Sequence, residues 1–344
     1  MSEAPLLAVR GLTVRFPVKR GGAFAPKRYL TAVDDVSFDV PRGTTLAIVG
    51  ESGSGKTTAA LAVARLVQAQ AGTVDIGGDD FLSLEGEALR RARARVQFIF
   101  QDPYSSLNPR RRAGAIVREP LDSLGTVPAG ERDDVVRTMF AAVGLREEQA
   151  RLFPHQFSGG QRQRIGIARA LATRPDLVIC DEPVSALDVA VQAQILNLLT
   201  RLQGEFGLTY LFISHDLGVV QHMCDAVAVM YMGRIVEQAD RASLFADPLH
   251  PYTAALLSAV PSLEAARGKR PRRVAIEGDP PDPVDLPPGC RFANRCPVAQ
   301  DRCREADPPL RPVAGGRKVA CHLVDDAGNG PAAALLEGTY ESVG

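Results

Sequence analysis

The stretch Gly50-Glu51-Ser52-Gly53-Ser54-Gly55-Lys56-Thr57 follows the apolar run TTLAIVG (44–50) and leads into TTAALAVARLV (57–67), whose apolar residues recur at helical spacing. It fits G-x-x-x-x-G-K-[ST], set between a strand and a helix as a phosphate-binding loop requires. Glycines let the backbone turn its N–H groups inward around an anion, and the helix behind adds the positive end of its dipole. Gly50, Ser52, Gly53, Gly55 and Thr58 are read as the cradle. Lys56 is read as the cation that reaches the outer phosphates, and the Thr57 hydroxyl as a Mg²⁺ ligand. An ordinary glycine turn would match the pattern without the flanking strand and helix.

Outward from this loop, other apolar runs end in polar residues. LVICDEP (177–183) is a strand closing on two carboxylates, which puts Asp181 and Glu182 at the C-terminal edge of a sheet, where α/β proteins bind ligands. Asp181 suits a Mg²⁺ held through water, and Glu182 suits a general base for an attacking water. Alone, the pair would read as a solvated acidic turn. Leu211 to Ser214 is another apolar strand and brings His215 to the same edge, within reach of a γ-phosphate. His155, His222 and His250 are read as structural. Gln101 closes the strand from Val96 to Phe100 and can sense metal or water. A second glycine turn, FSGGQRQR (157–164), opens a helix over 165–171, so Ser158, Gly159, Gly160 and Gln161 form another anion site. Two phosphate cradles and one nucleotide suggest a shared site.

Strands predicted at 6–16, 33–40, 44–50, 96–100, 177–181, 209–214 and 226–232, the later ones alternating with helical patterns, argue for a mainly parallel α/β sheet. Prolines including Pro109, Pro120, Pro128 and Pro154 break the helical patterns after Asp102, giving a helical insertion over about 102–168. Beyond residue 245 the composition turns proline-rich. The expected division is 1–245 for the nucleotide-binding domain and 246–344 for a loop-rich extension with a small core.

The 344 residues, 45% of them apolar and 23% charged, support buried cores and exclude disorder for most of the chain. Forty Lys and Arg balance forty Asp and Glu, so no long-range field draws in nucleic acid. The basic run Arg90, Arg91, Arg93 and Arg95 lacks interleaved aromatics and reads as a solvated helix face. No apolar stretch is long enough to span a membrane, and the start MSEAPLLAVRG lacks the marks of a secretory leader, so any membrane work needs other subunits.

The set GESGSGKTT, Gln101, FSGGQRQR, LVICDEP, SALD (185–188) and His215, in this order, resembles the nucleotide-binding domain of ABC transporters over residues 5 to about 245. The resemblance implies a P-loop ABC-type α/β fold, with an antiparallel β subdomain and a helical subdomain beside the main sheet. It implies two such domains facing head to tail, each ATP held between one P-loop and the other's Ser158-Gly159-Gly160-Gln161 turn. Asp188 would communicate across that interface, and Thr57, Gln101 and Asp181 would hold Mg²⁺. An aromatic near the first strand would contact the adenine, Phe16 being the best match and Phe24 or Tyr29 the alternatives.

FQDPYSSLNPR, EPVSALDVAVQAQILNLL, FISHDLGVV, MYMGRIVE, HPYTAALLSAVP and GCRFANRCP with the later ACH resemble the oligopeptide and dipeptide permease ATPases, nearest the second, F-type subunit. That implies a paralogous ATPase as heterodimer partner, two transmembrane permease subunits, an extracytoplasmic solute-binding protein, and a peripheral place on the cytoplasmic face of the membrane. Families importing nickel or glutathione share the motifs, and cargo is selected by the other subunits. A soluble ABC ATPase of translation or DNA repair would usually carry paired cassettes or long coiled-coil insertions.

Cys180 and Cys224 sit alone in apolar runs and read as small core residues. Cys290-x5-Cys296-x6-Cys303-x17-Cys321 offers four thiolates from a core-poor segment, where a metal can fold what burial cannot. The spacings exceed those of usual zinc knuckles, and disulfides are disfavoured in a reducing compartment. The permease resemblance implies a structural [4Fe-4S] cluster here, with Zn²⁺ as the alternative and His322 as a substitute ligand.

Overall fold

The computed structural model describes residues 4–18, 28–102, 104–260 and 274–337. Alternating apolar residues near the start form a long antiparallel pair, β1 (Leu7–Val18) and β2 (Arg28–Val40), running from Leu7 opposite Val40 to Val18 opposite Arg28 with register shifts between Val9 and Arg15. With β4 (Ala71–Ile76) and β5 (Asp79–Asp80) they make a four-stranded sheet in the order β2-β1-β4-β5.

The larger sheet is built around β3 (Thr45–Val49). Its parallel part runs β9-β3-β8-β7-β6, with β6 Val96–Ile99, β7 Leu177–Asp181, β8 Thr209–Ser214 and β9 Ala226–Tyr231. β3, β7 and β8 are buried along their whole length, as strands covered on both faces must be. Period-two alternation divides their side chains between two cores. Leu46, Ile48, Leu211 and Ile213 pack toward the small sheet and α1 (Lys56–Val63), while Ala47, Val49, Tyr210 and Phe212 face the helices opposite.

The arginine run lies on α2 (Gly86–Arg95), where Arg90 and Arg91 pair with Glu87 and Arg95 bridges Asp79 and Asp176. The insertion supplies α3 (Ala113–Leu124) and α4 (Arg132–Ala142), packed with α5 (Gly159–Leu171). Pro120, expected to break a helix, instead lies inside α3. Burial of Ile116, Val117 and Leu121 on the same helix outweighs the lost hydrogen bond. α6 (Val189–Phe206) turns Ile195, Leu198, Leu199 and Leu202 into the core, and α7 (Leu217–Met223) and α8 (Arg241–Ala246) flank the later strands.

β10 (Arg234–Asp240) runs antiparallel to β9. After α9 (Pro251–Ser258), the C-terminal segment lays β12 (Arg317–Val319) against β10 and β11 (Arg311–Val313) outside it, so the main sheet has eight strands among the described residues. A small core of Leu249, Val313, Val319, Cys321 and Val324 lies beneath.

Candidate functional site

The glycine loop leaves β3 and enters α1 without a side-chain cap on that helix, so its N–H groups are free for a ligand. Two glycines are dictated by close packing. A Cβ on Gly50 would lie 2.1 Å from the Met230 carbonyl, and one on Gly55, whose φ is +102°, would lie 2.1 Å from the Ala32 carbonyl. Lys56 is buried and its ammonium donates to the carbonyls of Gly50 and Glu51, each at 2.8 Å. Burial lowers its pKa, against the opposing pull of Glu182, Asp181 and Glu51.

Across the sheet edge, the Thr57 hydroxyl donates to Asp181 at 3.0 Å. Asp181 is buried at the end of β7, and that burial raises its pKa while Thr57 and Lys56 pull it down. Glu182 follows with a left-handed backbone, φ +45°, pinned by its N–H on the Ile213 carbonyl at 3.0 Å. Strain of this kind in a non-glycine residue persists only where the surroundings impose it. The carboxylate accepts from Gln101 Nε2 at 2.7 Å through Oε2, and its Oε1 faces His215 Nδ1 at 2.9 Å. Three strand ends thus bring Gln101, Glu182 and His215 together at one edge.

These groups line a cleft of about 890 Å³ with Gly50, Ser52, Gly53, Gly55, Lys56, Thr57 and Thr58 on its floor. Phe16, Leu30, Leu256 and Pro283 add an apolar wall, wide enough with the cradle for a base beside its phosphates. Phe16 is 39% exposed there. Tyr29 sits opposite Pro17, one residue out of step with the Phe16 and Leu30 pair, and Phe24 lies outside the described residues.

Ser158 caps α5, its hydroxyl accepting from Gln161 N at 3.3 Å while Gln161 Oε1 accepts from Ser158 N at 3.0 Å. Gly160 abuts Val191, where an added Cβ would meet Cγ1 at 2.5 Å. Ser158, Gly159, Gly160, Gln161 and the exposed Asp188 are not among the described residues lining the cleft. Within one chain the Ser158–Gln161 turn thus lies outside the cleft that the glycine loop floors.

The donors fit Mg²⁺. The Thr57 hydroxyl and Asp181 carboxylate are hard oxygen ligands, and this ion keeps waters and substrate phosphates rather than a full protein cage. Among the described residues, no three His, Cys, Asp or Glu side chains converge on a metal position. Gln101, the third expected ligand, donates its amide N–H to Glu182 and would meet a cation through its amide oxygen.

The four cysteines of the extension form no such group either. Cys290, Cys296, Cys303 and Cys321 are free and are electrostatic neighbours, but they do not converge on one ion. Cys290 N donates to the Cys303 carbonyl at 2.8 Å, and burial pushes the Cys290 and Cys296 thiols up to about 12. His322 Nε2 lies 2.8 Å from the Ala306 carbonyl. Cys180 and Cys224 are buried in the main core.

Sequence reasoning missed the C-terminal contribution to the cleft. Leu256 and Pro283 line it, the Tyr252 hydroxyl accepts from Glu51 N at 2.8 Å, and Arg295 pairs with the Glu51 carboxylate. No spacing signal marks residues so distant in sequence.

A family model described as "ABC transporter" matches residues 33–185, and one described as "Oligopeptide/dipeptide transporter, C-terminal region" matches 236–303. The probable peptide ABC transporter ATP-binding protein y4tS of Sinorhizobium fredii is 50% identical over 94% of this chain and 91% of its own length. The oligopeptide transport ATP-binding protein AppF of Bacillus subtilis and the dipeptide transport ATP-binding protein DppF of Haemophilus influenzae are each 47% identical, over 94% of this chain and 98% of theirs. The chain belongs to the oligopeptide/dipeptide ABC transporter ATP-binding subunits. Among solved structures, the dimeric post-hydrolysis state of the ATP-binding cassette MJ0796 bound to ADP and Pi aligns with a TM-score of 0.59 at 28% identity, covering 68% of this chain and 98% of that one. CbiO1 from Clostridium perfringens aligns with a TM-score of 0.61 at 26% identity, covering 71% and 92%. An ABC ATP-binding subunit is an ATPase, and in this one no described helix is long and apolar enough to cross a membrane.

Proposed function

We propose that this subunit hydrolyses MgATP between two ABC domains to energise uptake of di- or oligopeptides through separate transmembrane permease subunits. The observation that carries the catalytic reading is the Gln101, Glu182 and His215 constellation lining one cleft with Thr57, whose hydroxyl reaches Asp181. Lys56 and the loop N–H groups bind the phosphates, and Phe16 meets the adenine. Thr57, Gln101 and Asp181 would hold Mg²⁺, which would supply charge neutralisation to the phosphates. Glu182 takes the proton of the attacking water, His215 orients that carboxylate and contacts the γ-phosphate, and Gln101 reports the occupancy of the site. Ser158, Gly159, Gly160 and Gln161 of the facing subunit close over the same nucleotide, with Asp188 at the interface.

The facing subunit is proposed to be a paralogous ATPase, this chain being the second, F-type member of the pair, an assignment that rests on the motif resemblance. An extracytoplasmic solute-binding protein delivers cargo, and the assembly places this chain peripherally on the cytoplasmic face of the membrane. Peptide cargo is favoured over nickel or glutathione by the names of the relatives and the match to the C-terminal family model. The residues proposed to form the ABC domain are 1–245, with the extension over 246–344.

The same resemblance leads us to assign a [4Fe-4S] cluster to the four cysteines. Their soft thiols and shared neighbourhood suit it, although closure onto a common centre must accompany loading. Anaerobic purification tests this, since zinc without iron would overturn it. For the function as a whole, co-expression with the adjacent reading frames should yield a membrane complex whose ATPase activity rises with peptide-loaded binding protein. Copurification with ribosomes or DNA would refute it.

A further inference from the structure

The P-loop is gripped from outside by a turn of the C-terminal extension. Arg295 Nη1 and Nη2 donate to the two Glu51 oxygens at 2.8 and 3.2 Å, across 244 residues of chain. Its side chain is only 10% exposed, and Nη1 also reaches the Tyr231 hydroxyl at 3.2 Å. A guanidinium fork on both oxygens of a carboxylate fixes direction as well as distance. On the main-chain side, Glu51 N donates to the hydroxyl of Tyr252, a fully buried residue of α9.

The same turn restrains the loop at a second point. Arg291 donates to the Met232 carbonyl and to Asp34, and the next residue after Met232, Gly233, donates its N–H to the Ser54 carbonyl at 2.9 Å. Between the two arginines, Phe292 packs on Tyr231 and Tyr252 with ring centroids 5.3 and 5.4 Å away, which seats the turn. Glu51 is where this outer clamp meets the cradle, because its carbonyl accepts from the Lys56 ammonium.

We infer that Arg295 is a positioning residue for nucleotide binding: by fixing Glu51 it pre-shapes the P-loop, making the turn Cys290–Cys296 of the extension a working part of the ATP site. A loop already held in its binding shape loses less freedom when phosphate arrives. The inference rests on the ATP-site reading above.

The test uses the full chain. MgATP affinity is measured by calorimetric titration, and KM and kcat in the assembled transporter, for the parent, Arg295→Met, Arg295→Lys and Glu51→Gln. Arg295→Met should raise both the Kd and KM for MgATP on the order of tenfold with kcat at saturation nearly unchanged, as loss of pre-organisation requires. Arg295→Lys should recover part of the affinity, and Glu51→Gln should reproduce the defect, with the Arg295→Met/Glu51→Gln double variant no worse than either alone. An Arg295→Met chain that melts like the parent and binds MgATP equally well overturns the inference. If Arg295→Met fails to fold, Glu51→Gln decides, since it leaves the aromatic seat intact, and parent-like affinity there is equally fatal. A parent chain that binds no MgATP would instead refute the nucleotide reading itself.

Discussion

The Thr57 hydroxyl donates to the Asp181 carboxylate at 3.0 Å, joining the first turn of α1 to the end of β7. These two of the proposed Mg²⁺ ligands thus satisfy each other, and burial of Asp181 favours its neutral form. A divalent cation entering here replaces the hydroxyl as the partner of a carboxylate already drawn out of water. Asp181→Asn should therefore weaken MgATP binding far more than binding of ATP in EDTA. Hydrolysis should fall by about 10²–10³, the size expected when a transition-state charge loses its stabiliser. Parallel titrations with and without Mg²⁺ check both statements.

In the proposed mechanism Glu182 alone takes the proton of the attacking water. Glu182→Gln keeps the hydrogen-bonding shape between Gln101 and His215 but removes the base, so phosphate release should drop by about 10²–10⁴ while ATP stays bound. Filter binding of labelled ATP against a phosphate-release assay separates the two, and parent-rate turnover in an assembly carrying the change in every subunit would remove Glu182 from the mechanism.

Phe16 tests the apolar wall. Base stacking on an aromatic is worth about 1–3 kcal/mol by alanine substitution, so Phe16→Ala should weaken ATP binding roughly five- to hundredfold and Phe16→Tyr should retain it. Inorganic triphosphate, which has no base, should bind both variants alike.

His250 governs an acid limit. Fully buried, it is held neutral with a pKa of about 3, and Nδ1 accepts from Tyr252 N at 3.0 Å. An unfolded histidine protonates near 6.5, so stability is present above that value and is lost as pH falls from about 6.5 toward 3, by about 2 kcal/mol at pH 5. Neighbouring Glu237 works in the opposite sense, because burial raises its pKa. The isolating measurement is therefore the difference between the parent and His250→Asn, which keeps a capping acceptor. Denaturant midpoints of the two should converge between pH 7 and 5.

Much of the cleft was legible because its signals are local. The glycine loop, Thr57 and Lys56 are contiguous, and Asp181 closes β7 while Glu182, Gln101 and His215 follow strands of the same parallel part of the sheet, so the topology rule gathers them at one edge. The Gln101 to Glu182 hydrogen bond was not legible, since it depends on side-chain torsions. Pro120 misled because its local cost is overridden by the buried face of α3. The Glu51 to Arg295 pair and the walls from Leu256 and Pro283 are long-range contacts with no period or motif behind them.

The pairing of Glu237 with Val319 and Gln238 with Lys318 covers the middle of the outer flank of β10. Cutting the chain before residue 311 would bare a strand whose Ile235, Val236 and Glu237 are buried, leaving an open template for self-association. The cassette and its C-terminal tail are thus sewn along a shared seam. A hybrid that exchanges the tail between subunits must exchange the matching flank of β10 too, or accept a sticky, short-lived protein.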